Sequence, residues 1–404
     1  MKVSRYNNYK YNNYLLQIIL FLTFLGFYAV LLMMFNMGKS EMSRSLTIPM
    51  RMLIGLSCGL LFINNFKNRS PYLIWFIAWV CLYFLRIVID YNKQEYFYMP
   101  YGDLIFYLLS FVVIPFIGLS KVNYKKIDFD RLYKVVLLSA MAFSALAILL
   151  YGKYIGQVGR LSSGVTNESV ISPLILSYCG SLVIGITSFH LLYVKSAKKI
   201  RYLSLITLGL AVIPFFLGAS RGSLFALFFP FVLMAFSNLT PKSIIKYILL
   251  FIVLIMGLVY LDQYLESGLL SRFMGTSQAI EEGSSSAIRL DIWKKSLNQF
   301  TTYPVFGDKL NTQGVNGYPH NIFIEVLQTT GIIGFIPFII LFFKGIGASL
   351  NIFKYHKKYA WVTVFFIQTI MHNMFSGAVY TAAWFWTSLA IVISLNYSLK
   401  KNEL

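Results

Sequence analysis

The chain has 404 residues, of which 57% are hydrophobic and only 12% are charged. Charged residues make up about 25% of a typical soluble domain, so this composition excludes a water-soluble globule of this length. The formal net charge of +20 invites a nucleic-acid-binding interpretation, but the distribution of charge along the chain argues against it.

Apolar runs of about 18 or more residues recur from end to end, and each is long enough to cross a bilayer as a helix. Backbone polar groups in lipid must be satisfied internally, so the sequence predicts an all-α polytopic membrane protein. About twelve transmembrane helices are predicted. They centre on residues 15–35, 47–64, 72–90, 103–119, 133–151, 169–194, 202–218, 222–237, 244–261, 321–343, 360–376 and 379–396.

Basic residues are concentrated on one side of this predicted topology. With the N-terminus in the cytoplasm, the cytoplasmic loops hold 22 of the 35 Lys and Arg residues, against three acidic residues. This asymmetry is the positive-inside pattern of membrane proteins. Both termini are therefore predicted to be cytoplasmic, and the net charge reports orientation in the membrane rather than a nucleic-acid partner.

One connection is much longer than the others. Residues 263–319 form a polar loop on the predicted outer face. It separates nine predicted transmembrane helices in residues 1–262 from three in residues 320–404. The chain is therefore expected to have one long extracytoplasmic loop that carries short helices.

Part of this loop has helical periodicity. Leu290, Trp293, Leu297 and Phe300 recur at the spacing of one helical face. The sequence predicts an amphipathic helix that lies on the membrane surface with its Trp on the apolar side.

His320 and Asn321 stand where this loop meets a long apolar run. A helix N-terminus disfavours a second positive charge, so a neutral imidazole is expected there, and a neutral imidazole can act as a general base. The alternative is that the pair simply caps the helix, which spacing alone favours. A second pair, His372 and Asn373, ends another predicted span and is interpreted as an interfacial helix end.

Arginines supply a possible anion site on the same face. Arg221 lies in a tight turn of small residues, where free helix amides could add contacts to an anion. Arg51 and Arg86 lie inside apolar spans, on the order of 6 Å below the outer edge at 1.5 Å per residue. Each arginine could instead snorkel to the interface. Together with Arg289, they are predicted to converge on one outward-facing cavity suited to a pyrophosphate.

The order of these motifs resembles the O-antigen ligase and polysaccharide polymerase superfamily (Wzy type) over roughly residues 218–340. The resemblance rests on the Ser220-Arg221-Gly222 turn and four later motifs. They are Ile288-Arg289-Leu290-Asp291-Ile292-Trp293, Tyr303-Pro304-Val305-Phe306-Gly307, His320-Asn321 and Gly331-Ile332-Ile333-Gly334.

The resemblance implies a glycosyltransferase at the outer face of a bacterial cytoplasmic membrane, with an undecaprenyl-pyrophosphate-linked oligosaccharide as donor. It implies that Arg221 and Arg289 hold the pyrophosphate and that His320 positions or deprotonates the acceptor hydroxyl. Arg51, Arg86, Asn321 and Glu325 are predicted to bind substrate. No metal or other cofactor is expected, because arginines would supply the positive charge.

Several functions remain open from the sequence. A polymerase of O-antigen or capsule repeat units is favoured over a ligase that transfers a finished glycan to lipid A core or another acceptor. A lipid-linked oligosaccharide flippase and a non-catalytic scaffold are further alternatives. Membrane lipid and a chain-length regulator are the other partners considered.

Overall fold

The computed structural model describes residues 2–24, 30–34, 41–155, 161, 172–237, 240–274 and 285–400. These residues form helices and contain no β-strand, which confirms the all-α class. Seven helices in the described ranges are long and apolar enough to cross a membrane. The protein is therefore polytopic, while the total of twelve spans stays a prediction.

The α-helices are numbered in chain order. They are α1 (Lys2–Phe21), α2 (Leu31–Met34), α3 (Glu41–Asn64), α4 (Leu73–Asn92), α5 (Tyr101–Tyr107), α6 (Ile114–Ser120), α7 (Phe129–Tyr151), α8 (Pro173–Tyr193), α9 (Lys198–Gly218), α10 (Arg221–Ser237), α11 (Pro241–Tyr264), α12 (Leu269–Met274), α13 (Ser285–Thr302), α14 (Ile322–Tyr355), α15 (Ala360–Phe375) and α16 (Ala383–Lys400). A π-helical turn, Leu108–Val113, joins α5 to α6.

The core lies where α4, α6, α14 and α16 meet. Phe76 of α4 stacks on Phe116 of α6 with ring centroids 3.9 Å apart. Trp79, one turn along α4, stacks on Trp386 of α16 at 4.5 Å. These large rings are fully buried, so they fix the spacing of the helices that carry the outer loops.

Helix α14 is interrupted one-third of the way along. Gly331 has φ 58° and ψ −163°, which ordinary residues rarely adopt. The segment Pro304–Val305 pairs with the break: Ile332 N donates to Pro304 O at 2.9 Å and Ile333 N to Val305 O at 3.2 Å. A Cβ at Gly331 would collide with Val305 O. The Tyr303–Gly307 and Gly331–Gly334 motifs thus form a joint, in which the outer loop is hydrogen-bonded to α14.

The amphipathic helix expected in the loop is α13, and it packs on the protein through a side that differs from its leucine side. Ile292, Ser296 and Gln299 are buried, whereas Leu290 and Leu297 are exposed. Polar bonds hold the buried face to the following segment, including Ser296 Oγ to Thr312 Oγ1 at 2.9 Å and Gln299 Nε2 to Asn311 O at 3.2 Å. The exposed leucines leave the predicted membrane-facing side open, so that placement stays a prediction, and hydrophobicity alone could not reveal that the opposite side docks through polar groups.

Candidate active site

His320 and Asn321 have different structural roles at the start of α14. Asn321 is the N-cap: its Oδ1 accepts from Phe323 N at 3.0 Å and from Ile324 N at 3.3 Å. His320 has a φ of 56°, an uncommon backbone conformation for a residue with a side chain. Its ring packs against Tyr318, with centroids 4.4 Å apart. Capping therefore accounts for Asn321 and leaves the imidazole of His320 unexplained by helix formation.

Helix α13 brings a guanidinium towards His320. Trp293 Nε1 donates to Pro319 O at 2.7 Å, so α13 is fixed to the residue just before the histidine. Arg289 lies one helical turn before Trp293 and therefore on the same face. Burial, and then the charge of Arg289, lower the pKa of His320 below its usual 6.5. The imidazole is consequently neutral at pH 7, as a general base requires.

The ring of Tyr318, which contacts this imidazole, packs in turn against two further tyrosines. Tyr318 contacts Tyr98 and Tyr380, with centroids 5.7 and 6.2 Å away, and the hydroxyls of Tyr98 and Tyr380 share a hydrogen bond. Burial raises the pKa of Tyr318 to about 12. The phenol thus stays neutral at pH 7, and its ring packs against the imidazole of His320.

Glu325 lies one turn into α14, where it is 1% exposed. Its Oε1 accepts from the hydroxyl of Tyr83 at 3.2 Å and its Oε2 from Val379 N at 2.9 Å. The carboxyl group therefore ties α14 to α4 and to the turn before α16. These contacts explain its position structurally, and the predicted role in substrate binding stays a prediction.

The turn that carries Arg221 is closed by small residues. Ala219 ends α9 with φ 38°, and Arg221 begins α10. A Cβ at Gly222 would lie 2.7 Å from Tyr178 Oη and 3.4 Å from Phe375 Cβ. The Ser-Arg-Gly sequence thus lets α10 start in direct contact with α8 and α15, and places Arg221 at its first turn.

Sequence reasoning missed Arg272 of α12. Its Nη1 donates to Ala219 O at 3.1 Å, which brings it to the turn before Arg221. Burial and the charge of Arg221 lower the pKa of Arg272. Two guanidiniums held close together favour an anion between or beside them. The clue in the sequence was an arginine within the short apolar run Leu269–Met274 of the outer loop.

A shared aromatic contact brings Arg221 towards Arg289. Phe375, at the end of α15, contacts Phe225 of α10 at 5.9 Å and Trp293 of α13 at 6.5 Å. Each arginine lies four residues before one of these aromatics, on the same helical face. Phe375 therefore links the helix of Arg221 to the helix of Arg289, which is also bonded to the residue before His320.

Arg86 is engaged by the protein itself. Its Nε donates to Thr329 O at 3.0 Å, and its Nη2 donates to Phe306 O at 2.9 Å and to Gly307 O at 3.0 Å. Its Nη1 lies 3.7 Å from Asp90 Oδ1. This network supports the joint between the loop and α14. A role of Arg86 in substrate binding stays a prediction.

Arg51 lies in a different environment. It is 6% exposed, and its guanidinium packs over the rings of Tyr107 and Phe111 at 4.6 Å each. It lines a cavity of about 400 Å³ that also includes His372 and Asn373. The second His-Asn pair therefore borders a cavity instead of merely ending a helix, which sequence spacing alone could not predict.

The predicted site residues have different surroundings. The charge of Arg289 acts on His320, and that of Arg221 acts on Arg272, which the sequence did not single out. Arg51 borders the cavity. The remaining three bond to the protein itself: Arg86, Asn321 and Glu325. No group of three or more His, Cys, Asp and Glu side chains suited to a metal ion occurs among the described residues. The candidate site residues that carry a positive charge are arginines, which can bind phosphate oxygens through paired hydrogen bonds.

Comparison with known families shows that residues 206–339 match the model of the O-antigen ligase family (Wzy_C), which supports, over that stretch, the resemblance that the motifs indicate. The matched stretch contains Arg221, Arg272, Arg289 and His320. No curated protein is similar enough to the chain to count as a match.

Proposed function

We propose that this protein, whose residues 206–339 match the O-antigen ligase family model, joins undecaprenyl-pyrophosphate-linked oligosaccharide repeat units. The superfamily implies a membrane enzyme of glycosyltransferase type in glycan assembly. The observation that carries the finer proposal is the placement of Arg289 beside a partly buried His320 of lowered pKa.

In the proposed reaction, a sugar hydroxyl of the acceptor attacks the anomeric carbon of the donor. The bond from that carbon to the pyrophosphate oxygen breaks, and the lipid pyrophosphate leaves with the bonding electrons. His320 accepts the proton from the attacking hydroxyl as the new glycosidic bond forms. A neutral imidazole can do this at pH 7, which the lowered pKa supports.

Positive charge is needed where the pyrophosphate departs. Arg221 and Arg289 are proposed to bind its oxygens, and Arg272 strengthens the site next to Arg221. Fixed charges in a partly buried site stabilise the developing negative charge more than they would in water. Guanidiniums thereby take the role that a divalent cation has in other enzymes of phosphate chemistry.

The proposed location is the outer face of a bacterial cytoplasmic membrane, with both termini in the cytoplasm. The positive-inside asymmetry of the loops supports that orientation. It puts the Arg221 turn, α13 and the start of α14 on one face. Membrane lipid surrounds the protein, and a chain-length regulator is a candidate partner.

Purified protein tests the chemistry. Supplied with lipid-linked repeat units and no nucleotide, it should produce a ladder of longer lipid-linked glycans, and EDTA should leave the rate unchanged. Loss of activity in EDTA that returns with a divalent metal would contradict the arginine-based site. Movement of the substrate across a vesicle membrane without any change in its size would indicate a flippase.

A deletion strain distinguishes polymerase from ligase, the alternative that the family description raises. Loss of a polymerase leaves single repeat units on the lipid carrier or on the final acceptor. Loss of a ligase leaves long chains on the carrier. The proposal predicts single units, and stranded long chains would assign the protein as a ligase. Unchanged glycan would indicate a scaffold.

A further inference from the structure

The cavity that Arg51 borders has a lining unlike an ordinary apolar void. It lies between the π-helical turn and helices α3, α8, α15 and α16, and holds about 400 Å³. Cavities of this size occur among small-molecule sites, which combine apolar walls with a few converging polar groups. Here the walls include Tyr107, Phe111, Tyr178 and Trp384.

Hydrogen-bonding atoms in this lining lack partners. Four of them are buried and make no hydrogen bond within the described part of the chain. They are Thr23 Oγ1, Ser110 Oγ, His372 Nδ1 and Thr387 Oγ1. Their residues are between 0% and 9% exposed.

Buried polar groups are nearly always hydrogen-bonded, because burial without a partner removes the bonds that they made to water. Their convergence on one cavity, from four different segments, indicates an occupant with several hydroxyl groups. A hydrocarbon chain would leave all four atoms unsatisfied.

Aromatic groups in the lining indicate which kind of hydroxyl-bearing molecule fits the cavity. His372 stacks on Tyr178 at 4.2 Å and lies 6.0 Å from the ring of Trp384. Trp384 is itself fixed, since its Nε1 donates to Thr23 O at 2.6 Å. Rigid aromatic faces pack against the C–H faces of a sugar ring, while hydroxyl and imidazole groups bond to its edge.

The cavity adjoins the candidate active site on two sides. Tyr178 lines the cavity and also contacts the start of α10, where Gly222 follows Arg221. Thr381 lines it too, and its neighbour Tyr380 packs on Tyr318, which in turn contacts His320.

We propose that this cavity binds one sugar ring of the lipid-linked glycan, with Thr23, Ser110, His372 and Thr387 bonding to its hydroxyls. The assignment rests on the proposed function, because it takes the glycan as substrate. The cavity would recognise the sugar, whereas the proposed reaction centre consists of arginines and His320.

The chain offers matched variants for a test. The variant Ser110→Ala with Thr387→Val removes two unpaired hydroxyls from the cavity. The control, Ser144→Ala with Thr363→Val, removes two buried, unpaired hydroxyls whose residues do not line it. Neither change breaks a hydrogen bond of the described residues, so both proteins should fold with unchanged stability.

The probes are lipid-linked glycan extracted from a strain that lacks this protein, and undecaprenyl pyrophosphate without sugar. The full chain in detergent is titrated with each, and thermal stabilisation reports binding. We expect the cavity variant to bind the glycan lipid at least about tenfold more weakly than the control, the equivalent of about 1.4 kcal/mol. Both should bind the sugar-free lipid equally.

Two results would overturn the assignment of the cavity as a sugar site without contradicting the proposed function. Equal glycan binding by the cavity variant and the control would mean that the cavity holds only water. Weaker binding of the sugar-free lipid to the cavity variant would mean that it holds the lipid. If the wild-type chain gains no more stability from glycan lipid than from sugar-free lipid, the proposed function and the cavity assignment both fail.

Discussion

Trp293 and Pro319 are joined by a hydrogen bond of 2.7 Å from the indole Nε1 to the carbonyl oxygen. The bond connects the helix of Arg289 to the residue that precedes His320, although 26 positions separate its partners. It sets how close the guanidinium comes to the imidazole. The tryptophan of the Ile288–Trp293 motif therefore fixes α13 to the start of α14.

Replacing Trp293 by Phe should slow transfer while leaving the fold intact. The ring that packs near Phe375 would be retained, but the bond to Pro319 would be lost, at a cost of about 1 kcal/mol. We expect kcat/KM for glycan extension to fall by about fivefold. Unchanged kcat/KM would show that Pro319 does not need this bond to hold the site.

The pH profile should report the electrostatic pairing of Arg289 with His320. As a base, His320 acts in its neutral form, so activity is lost as pH falls through its pKa. Burial and Arg289 lower that pKa, and the acidic limb of the wild type should therefore lie below pH 6.5.

In Arg289→Gln, one cause of the lowered pKa disappears, and the limb should move to higher pH as the overall rate falls. Lys294→Gln removes the same charge from an exposed position of α13 and should leave the limb in place. If the acidic limb of the activity profile lies at the same pH in Arg289→Gln as in the wild type, the pairing of Arg289 with His320 is contradicted.

Gly331 should tolerate no side chain. Ala at this position would have to adopt φ 58° and would meet Val305 O, so unfolding should become easier by at least about 2 kcal/mol. Gly347→Ala provides the control in the same helix, since its Cβ would meet nothing within 4 Å. Thermal unfolding in detergent should separate the two variants, and equal melting temperatures would refute the proposed joint.

Arg86 is expected to affect stability more than substrate affinity. Arg86→Gln would leave three carbonyl groups without their donor and remove a charge from beside Asp90, at a cost of about 2 kcal/mol or more. Melting temperature and KM should be measured together. A raised KM with an unchanged melting temperature would favour the substrate-binding role that the sequence suggested.

The helical class, the membrane setting and the motif region could be read from the sequence, because apolar length and charge asymmetry are local properties. The distinct roles of His320 and Asn321 could not. They depend on the backbone turning to φ 56° at the histidine, so that only Asn321 reaches the helix amides.

The arginines illustrate a second limit of sequence reasoning. Arg51 and Arg86 were predicted to have the same role because they lie at similar depths in their predicted spans. In the structure, Arg51 borders a cavity. Arg86 instead donates hydrogen bonds to the carbonyl groups of Thr329, Phe306 and Gly307. Arg272 was overlooked because its contact with Ala219 joins positions 53 apart. Long-range contacts of this kind leave no periodic signal in a single sequence.

The most direct test compares His320→Ala with His356→Ala, which alters a histidine at the opposite end of α14. Each purified protein is given the same lipid-linked repeat units, and the glycan products are separated by size. The account predicts a full ladder from His356→Ala and none from His320→Ala, with both proteins folded. A full ladder from folded His320→Ala would contradict the central claim.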